Sequence, residues 1–373
     1  MLKAIRGLST IAIGIGCVFP AMLASAQIRG TETFFVMSNN ADKNQVIEFV
    51  HASDGTVVAK ETFDTHGRGT GGVNDPLEAQ GSLMLSADHS LLFAANAGSG
   101  DISVFQVIGE HLIFLHRQPS GGSNPVAIAQ SENRVYVLNQ GGAGSVVGFQ
   151  IGFGGQLFPI ANSTAFLSAN AVGGSSISIS PDGRTLAVVE RLTNNIDTFH
   201  INPNGTLGSI VINPSAGVGA FSGRFAPDGK LIVSETGSSL SAISSYTVNS
   251  NGKLTAVTQS LTTNGSANCW NAITPNGAFV YASNAGTSNI SGFSIASSGA
   301  LTALTSSSVV ASNPENATNL DITTSGDGKF FYTLNAMVGT VGVFAIEPNG
   351  TLKEVDEIPA FTAAVGFNGI AAL

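Results

Sequence analysis

Short apolar runs alternate with polar residues along the chain, and the same pattern repeats seven times. In each repeat an apolar run ends in Asn or Glu, and nine to eleven residues later an aromatic residue closes a second run. These aromatic residues recur every 44 to 56 residues, which is a spacing typical of propeller blades. The seven pairs are Asn39 and Phe49, Asn96 and Phe105, Asn139 and Phe149, Glu190 and Phe199, Glu235 and Tyr246, Asn284 and Phe293, and Asn335 and Phe344.

Each repeat is predicted to hold four strands. Turns such as Ser180-Pro181-Asp182-Gly183 separate the first strand from the second, because Pro fixes φ and Gly permits the positive φ of a tight turn. The second strand ends at the Asn or Glu, and the third ends just after the aromatic residue. Helical periodicity is absent. The sequence therefore predicts an all-β fold, a seven-bladed β-propeller of four-stranded blades.

The two ends of the chain do not coincide with blade edges. Residues 34–38 have the pattern of a second strand, and residues 369–373 have that of a first strand without a second one after it. Pairing these N- and C-terminal strands would complete a blade, close the ring and remove the exposed edges of an open sheet. We therefore expect one domain over residues 27–373.

The first 26 residues have the features of a signal peptide. Lys3 and Arg6 precede an apolar stretch from about Ile11 to Leu23, and Ala24-Ser25-Ala26 has the form of a cleavage site. The alternative is a membrane anchor, which needs about 18 or more apolar residues in a row, whereas Gly and Pro interrupt this run. The sequence thus predicts a secreted protein, periplasmic if the host is bacterial, without a membrane segment.

Charge and cysteine content narrow the function classes. Removing residues 1–26 changes the formal net charge from −9 to −11 and leaves 13 basic residues, which argues against nucleic-acid binding. Cys17 lies in the predicted signal peptide, so Cys269 has no partner for an internal disulfide. His111 and His116 would face opposite sides of a strand, which argues against a metal site formed by the two. We expect no metal site and no cofactor. We also expect a monomer.

Six N-x-S/T sequons occur in the chain. In a eukaryotic secretory pathway some would carry glycans, which would make the protein a glycoprotein. The alternative is that N-G-T is simply favourable turn chemistry. The six are Asn162, Asn204, Asn264, Asn289, Asn316 and Asn349.

The loops after the second strands and before the first strands are expected to surround one mouth of the central channel. Asn at the end of a second strand is explained by turn structure, but two neighbouring repeats carry Glu190 and Glu235 instead. A carboxylate pair could perform acid–base catalysis if the environment raised one pKa. The alternative is that both are solvated loop ends or ion-pair partners of Arg191 and Arg224.

The loops that lead into the first strands supply further candidates. Trp270, the only tryptophan, could stack on a ligand or merely fill the channel. Cys269 could act as a nucleophile only with a base beside it and a lowered pKa, and is otherwise an inert thiol. The remaining candidates in these loops are Arg68, Asp75, Asn124, Ser222, Asn268 and Asn316.

The S-P-D-G turns and the V-x-N-x-G-x-x-x-V-x-x-F strands resemble those of the seven-bladed lactonase family, over essentially all of residues 27–373. That family includes propeller 6-phosphogluconolactonases and carboxymuconate-lactonizing enzymes. The resemblance implies hydrolysis or formation of lactone rings without a metal, with Arg, His and Glu residues around the channel mouth.

The resemblance carries over to few site residues. Glu235 matches the position of a proposed catalytic Glu in the family. The family's Arg and His, counted back from Phe225, correspond here to the uncharged Phe221 and Ser222. Asn268-Cys269-Trp270 replaces an acidic-His-Thr stretch. Recognition of highly charged substrates is therefore not expected, because such anions favour Arg and His.

Two functions follow as expectations. The first is a secreted lactone hydrolase in which Glu235, with Glu190, activates water, while amides of Asn268 and Asn284 polarise the carbonyl. Trp270, Asn124 and Arg68 would then contact the small-molecule lactone. The second is a non-catalytic extracellular propeller that uses the same face to bind a glycan, a peptide or a protein.

Overall fold

The computed structural model describes residues 32–51, 56–237 and 240–373. The predicted signal peptide lies outside these residues. Seven antiparallel sheets follow one another along the described chain, and each sheet is one blade. The predicted all-β, seven-bladed propeller is thereby confirmed. The described ranges include a single-turn 3₁₀ helix, Phe153–Gly155, and no helix among them is both long enough and apolar enough to cross a membrane.

The strands are numbered β1 to β30 in chain order, and the blades 1 to 7. Blade 1 contains β1 (Thr33–Met37), β2 (Gln45–His51), β3 (Val57–Asp64) and the C-terminal β30 (Ile370–Ala372). Blade 2 contains β4 (Leu83–Leu85), β5 (Leu91–Asn96), β6 (Asp101–Ile108) and β7 (His111–Pro119). Blade 3 contains β8 (Pro125–Ser131), β9 (Arg134–Asn139), β10 (Ser145–Ile151), β11 (Leu157–Pro159) and β12 (Ala165–Phe166). Blade 4 contains β13 (Gly174–Ile179), β14 (Thr185–Glu190), β15 (Asn195–His200) and β16 (Val211–Pro214). Blade 5 contains β17 (Ala220–Phe225), β18 (Leu231–Glu235), β19 (Ala242–Val248) and β20 (Leu254–Thr262). Blade 6 contains β21 (Asn268–Ile273), β22 (Phe279–Asn284), β23 (Asn289–Ile295), β24 (Leu301–Ala303) and β25 (Val309–Ser312). Blade 7 contains β26 (Asn319–Thr324), β27 (Phe330–Asn335), β28 (Thr340–Ile346) and β29 (Leu352–Pro359).

The N- and C-terminal strands close the ring in blade 1. Strand β1 pairs with β30, with Phe34 opposite Ala372 and Val36 opposite Ile370. Strand β30 therefore acts as the first strand of a blade whose other three strands come from the start of the described chain. This pairing confirms the predicted closure, which leaves no blade without its inner strand.

The first strands of the seven blades contact one another in a closed ring around the central channel. Each forms the end of its sheet's strand order, so one backbone edge pairs within the blade and the other edge faces the channel. Apolar side chains fill the space between neighbouring blades, including Phe34, Tyr136 and Tyr281, which are fully buried. The Tyr136 hydroxyl donates to the carbonyl of Gly205 in the next blade at 2.9 Å, so the buried phenol is paired.

The predicted turn chemistry is present at the lower ends of the first strands. At Ser180-Pro181-Asp182-Gly183 the Ser180 hydroxyl donates to the Asp182 carboxylate at 2.6 Å, and Gly183 has φ +70°. The hydrogen bond from Ser180 lowers the pKa of Asp182 although burial opposes it. These turns place the first-strand starts and the second-strand ends at the opposite end of the channel, which we call the upper mouth.

Candidate functional site at the upper mouth of the channel

The Asn and Glu side chains at or just after the second-strand ends lie inside the propeller. All seven are buried, with at most 1% of their surface exposed. Asn284 illustrates the Asn type: its Nδ2 group donates to Asn289 Oδ1 and Ser291 Oγ, both at 2.8 Å. The side chain thus fixes the start of the third strand against the end of the second. This is the structural role that turn chemistry suggested for Asn.

Glu235 lies in a closed set of hydrogen bonds. Its Oε1 atom accepts from the backbone N–H of Gly217 at 2.8 Å and from the hydroxyls of Ser215 and Ser244 at 3.0 and 2.7 Å. Its Oε2 atom accepts from the Ser260 hydroxyl at 3.0 Å. The carboxylate has no exposed surface. Four donors therefore satisfy this buried charge, as buried charges require.

Glu190 is held in a similar way, with a second acid beside it. Its carboxylate accepts from the backbone N–H and hydroxyl of Ser168 at 2.8 and 2.6 Å, and from the Thr193 hydroxyl at 2.6 Å. Asp197 is fully buried next to it, and burial, followed by the hydrogen bond and the charge of Glu190, raises the pKa of Asp197 to about 8. Burial opposes ionisation of Glu190 too, but the hydrogen bonds from Asp197, Ser168 and Thr193 lower its pKa. Asp197 thus holds the proton of the pair at neutral pH.

These contacts give Glu190 and Glu235 a role in fixing the loop before each blade to the strands of that blade. Neither carboxylate presents surface to the channel, so a water molecule or substrate has no path to it in this conformation. The catalytic roles assigned to both residues from sequence remain predictions. The assignment of Asn284 to substrate binding also remains a prediction, and its Nδ2 group is engaged inside the blade.

Residues 79–82 cross the channel below the upper mouth. The Gln80 N–H donates to Ser175 O at 2.8 Å, and its side-chain Nε2 donates to Asn271 O at 2.9 Å and to Asp321 Oδ1 at 3.1 Å. The Ser222 hydroxyl donates to Gln80 Oε1. Gln80 therefore connects the first strands of blades 4, 5, 6 and 7. The segment divides the channel into the upper mouth and a lower part.

Trp270 and Asn268 belong to the packing around this segment. Trp270 is 1% exposed, and its indole N–H donates to Ala79 O at 3.1 Å. Its ring meets Phe221 edge to face, with centroids 5.3 Å apart. Asn268 is buried and donates to Ala242 O at 2.7 Å. Of the two alternatives for Trp270, this geometry favours filling of the channel, while substrate contact by either residue remains untested.

Asp75 is a titratable group at the upper mouth with strongly altered acidity. Its Oδ1 atom accepts from the Glu78 backbone N–H at 2.9 Å and from Asn368 Nδ2 at 2.7 Å. Burial raises the pKa of Asp75 to about 8, the nearby charge of Glu78 adds to this, and the two hydrogen bonds oppose it. The residue is nevertheless partly exposed to solvent. A carboxyl with these properties can exchange protons near neutral pH.

Arg191 and Cys269 lie near the segment that contains Asp75 and Glu78. The Arg191 guanidinium pairs with the Glu78 carboxylate, and the two side chains are 23% and 50% exposed. Cys269 is half-buried, and burial raises the pKa of its thiol; the charges of Asp75 and Glu78 act in the same direction and that of Arg191 opposes them. This thiol is therefore protonated at neutral pH, which argues against a nucleophilic role.

The other predicted residues lie around the rim. Asn124, with φ +55°, donates to Gln140 Oε1 at 3.2 Å, and Gln140 in turn contacts Leu77 O at 3.4 Å. Arg68 has an exposed side chain near the loop after β5, where its backbone N–H donates to Ser99 Oγ at 2.9 Å. The structure thus brings Asn124 towards the mouth and leaves Arg68 at its edge.

Sequence reasoning did not select Glu78 or Asn368, and it considered Arg191 only as a partner for a nearby Glu. Asn368 comes from the end of the chain and reaches Asp75 across 293 positions. The Glu78–Arg191 pair likewise joins residues 113 positions apart. The usable signal was the position of Arg191, which directly follows the out-of-pattern Glu190.

One group of side chains has donor atoms suited to a divalent cation. Ligand atoms of Glu48, Glu61 and His111 lie within 4.8 Å of one another, and His111 Nδ1 is 3.1 Å from a Glu61 oxygen. Carboxylate and imidazole ligands suit Zn²⁺. Glu61 and His111 belong to the outermost strands β3 and β7. The group is therefore remote from the upper mouth and from the chemistry considered there.

Comparisons with known proteins agree with this architecture. The family described as "Lactonase, 7-bladed beta-propeller" matches residues 155–270 and 222–364, which together exceed half of the chain. A search among curated protein sequences found no significant match.

Solved structures of low sequence identity share the fold. A candidate 6-phosphogluconolactonase of Bacteroides uniformis superposes with a TM-score of 0.71 at 17% identity, covering 92% of this chain and 100% of its own. The periplasmic gluconolactonase of Pseudomonas aeruginosa gives 0.69 at 18% identity, covering 92% and 99%. A chain of the nidogen/laminin complex gives 0.51 at 15% identity, covering 76% and 97%.

Proposed function

Because the chain belongs to the seven-bladed β-propeller lactonase family, we propose that it hydrolyses lactones, without a metal, at the upper mouth of its channel. The observation that carries this proposal is the partly exposed Asp75, whose pKa is raised to about 8 and whose neighbour Glu78 binds Arg191. The similarity to a periplasmic gluconolactonase and the predicted signal peptide support an exported protein. The substrate would be a neutral or weakly charged lactone, since Phe221 and Ser222 replace the family's Arg and His.

Asp75 acts as a general base in the proposed mechanism. Its carboxylate removes a proton from a water molecule, and the water oxygen forms a bond to the lactone carbonyl carbon. The Arg191 guanidinium stabilises the negative charge that develops on the carbonyl oxygen. The bond to the ring oxygen then breaks, and that oxygen takes the proton from Asp75. The product is a hydroxy acid, and Asp75 returns to its ionised form.

The hydrogen bonds to Asp75 fix the orientation of its carboxyl group. The Glu78 N–H and the Asn368 amide both donate to Oδ1, so Oδ2 is left to receive the proton from water. Glu78 has a second role, because its side chain holds the Arg191 guanidinium near the site. The base and the cation are therefore oriented by the same short segment, residues 75–78.

The test is hydrolysis of a panel of lactones of different ring size by the purified protein. We expect turnover that falls about 10²- to 10⁴-fold in Asp75→Asn, the range usual for loss of a general base. After subtraction of spontaneous hydrolysis, kcat/KM should rise with pH and level off above about 8, because the ionised form of Asp75 is the active one. The control is Asp228→Asn, which changes an exposed Asp in the turn after β17.

Two results would contradict this assignment. Full activity of Asp75→Asn would remove Asp75 from the mechanism, and no turnover of any lactone by folded protein would argue against hydrolysis altogether. The second outcome would favour the alternative function, a non-catalytic extracellular propeller that binds a glycan, a peptide or a protein. That alternative is supported by the uncharged Phe221 and Ser222 and by the shared fold of a chain of the nidogen/laminin complex.

A further inference from the structure

The lower part of the channel forms a chamber on the other side of residues 79–82 from Asp75. Its volume is about 250 Å³, it is open on one side, and it is lined by residues of the first strands of blades 1, 2, 5, 6 and 7. Gln80 forms its upper boundary, and Arg224 and Asn271 extend into its wall. Drug-sized ligands occupy cavities of about 300 to 1,000 Å³, so this chamber suits a smaller molecule.

Arg224 is the cation of this chamber. Its Nη2 atom lies 3.4 Å from the point that a Cβ atom would occupy on Gly81, which places the guanidinium directly below the crossing segment. Among the described residues, no carboxylate oxygen lies within 4 Å of the guanidinium and no acceptor forms a hydrogen bond with it. Burial lowers the pKa of Arg224, and the charge of Asp321 opposes this. An unpaired guanidinium in a cavity is well suited to bind a carboxylate through two parallel hydrogen bonds.

The rest of the chamber wall can bind hydroxyl groups. Strands β4, β17, β21, β26 and β30 each end a sheet, so their backbone N–H and C=O groups on the channel side have no strand partner. Gln80 and Asp321 already bind the N–H and C=O of Asn271 and the N–H of Ile322, so a ligand would use the groups further along these edges. A hydroxyl group can both donate and accept, so it can pair with either kind of group along such an edge. The side-chain amide of Gln80 is engaged by Asn271, Asp321 and Ser222, whereas Asn271 Oδ1 has no hydrogen-bond partner among the described residues.

Asp321 limits the charge that the chamber can accept. Its Oδ1 atom receives hydrogen bonds from Gln80 Nε2 at 3.1 Å and from the Ile322 N–H at 3.0 Å. Its negative charge, close enough to influence Arg224, opposes a ligand that carries more than one negative charge. A single carboxylate is therefore favoured over a dicarboxylate or a phosphate.

We propose that the lower chamber binds a small polyhydroxy monocarboxylate, with the carboxylate on Arg224 and the hydroxyls on the strand edges. The proposal does not depend on lactone hydrolysis, because the chamber and Asp75 lie on opposite sides of residues 79–82. It adds a second ligand site to the propeller, at the end of the channel opposite the upper mouth.

The test compares three six-carbon probes by isothermal titration calorimetry on the purified full-length protein. D-Gluconate carries both the carboxylate and the hydroxyls, D-sorbitol lacks the carboxylate, and hexanoate lacks the hydroxyls. We expect gluconate to bind at least tenfold more tightly than either of the other two. Arg224→Met should weaken gluconate binding at least tenfold, and Arg224→Lys should weaken it less. The exposed Arg184 near the same end provides the control Arg184→Met, which should bind gluconate like the wild type.

Arg191→Met distinguishes the chamber from the upper mouth, because Arg191 pairs with Glu78 at the mouth. Loss of gluconate binding in Arg191→Met but not in Arg224→Met would place the ligand at the mouth and overturn the proposal. Equal affinity for the three probes, or no gluconate binding at all, would also overturn it. If Arg224→Met does not fold, a crystal structure of the wild type with gluconate decides the question: a carboxylate within hydrogen-bond distance of Arg224 supports the proposal, and any other position contradicts it.

Discussion

At the ends of the second strands in blades 4 and 5, Glu190 and Glu235 are fully buried and surrounded by hydroxyl and amide donors. At the upper mouth, Asp75 receives two hydrogen bonds on one oxygen and remains partly exposed. The first region satisfies its charges completely, whereas the second leaves part of a carboxyl open to water. A buried carboxylate whose oxygens all accept hydrogen bonds stabilises the fold. A general base, in contrast, needs a lone pair that substrate or water can reach.

This difference changes how out-of-pattern acidic residues in a repeat are interpreted. Glu replaces Asn at the second-strand end in two blades, which suggested chemistry at those positions. In the structure the replacement accompanies extra hydroxyl donors, such as Ser215 and Ser260 around Glu235. A local change in the donor set thus explains the carboxylate, and the comparison predicts stability effects in the blades and activity effects at the mouth.

The largest effect within the blades is expected for Glu235→Gln. It replaces one acceptor of a buried, charge-assisted network by an N–H₂ group, which should lower the free energy of unfolding by about 1–3 kcal/mol. Chemical denaturation measures this change. Ser244→Ala removes a single donor to the same carboxylate and should cost about 1 kcal/mol.

Lactone turnover per folded molecule should stay within twofold of the wild type in Glu235→Gln. Abolished turnover with unchanged stability would reverse the comparison between the two regions. It would restore Glu235 to the catalytic role that the sequence suggested.

A smaller, pH-dependent effect is expected for Asp197→Asn. The pKa of Asp197 is raised from 3.8 to about 8 in the folded protein, so the folded state binds the extra proton between these values. Stability from this group is therefore complete at low pH and is lost as the pH rises towards 8. Asn cannot ionise and can donate to Glu190, so the variant should be about 1–2 kcal/mol more stable than the wild type at pH 8.

Unfolding measured at pH 5 and pH 8 checks the Asp197 prediction. The gain at pH 8 should be absent or much smaller at pH 5, where Asp197 of the wild type keeps its proton. Glu190, whose pKa is lowered, titrates below this window and does not obscure it. Equal differences at the two pH values would show that Asp197 is not the proton carrier of the pair.

The smallest effect is expected for Cys269→Ser at the upper mouth. Burial raises the pKa of the thiol, so the nucleophilic thiolate is scarce at neutral pH. We expect kcat/KM for lactone hydrolysis to change less than twofold. A much larger loss, together with covalent labelling of the wild type by substrate, would move the chemistry from Asp75 to Cys269.

The repeat pattern was sufficient to predict the blades. Strand ends at Asn96 and Asn284, the turn at residues 180–183 and the pairing of residues 34–36 with the C-terminal strand all follow from local periodicity and turn chemistry. The site was harder to predict from the sequence, because Asp75, Arg191 and Asn368 come from three separate parts of the chain. Of these three residues only Asp75 was among the loop candidates, without a role that distinguished it from the others, and nothing in its local sequence indicates a raised pKa.

The amino-acid sequence by itself determined the fold class, the blade number and the closure of the ring. Alternation and turns define each strand locally, and the number of repeats and the unpaired strands at the two chain ends define the ring. The tertiary structure alone decided which polar groups are satisfied and which face the channel. Gln80 reaches four blades, Glu235 collects donors from its own blade and the preceding loop, and Arg224 is left without a partner among the described residues. Burial and long-range hydrogen bonds set the chemistry of these groups, and both arise only when the blades pack around one channel.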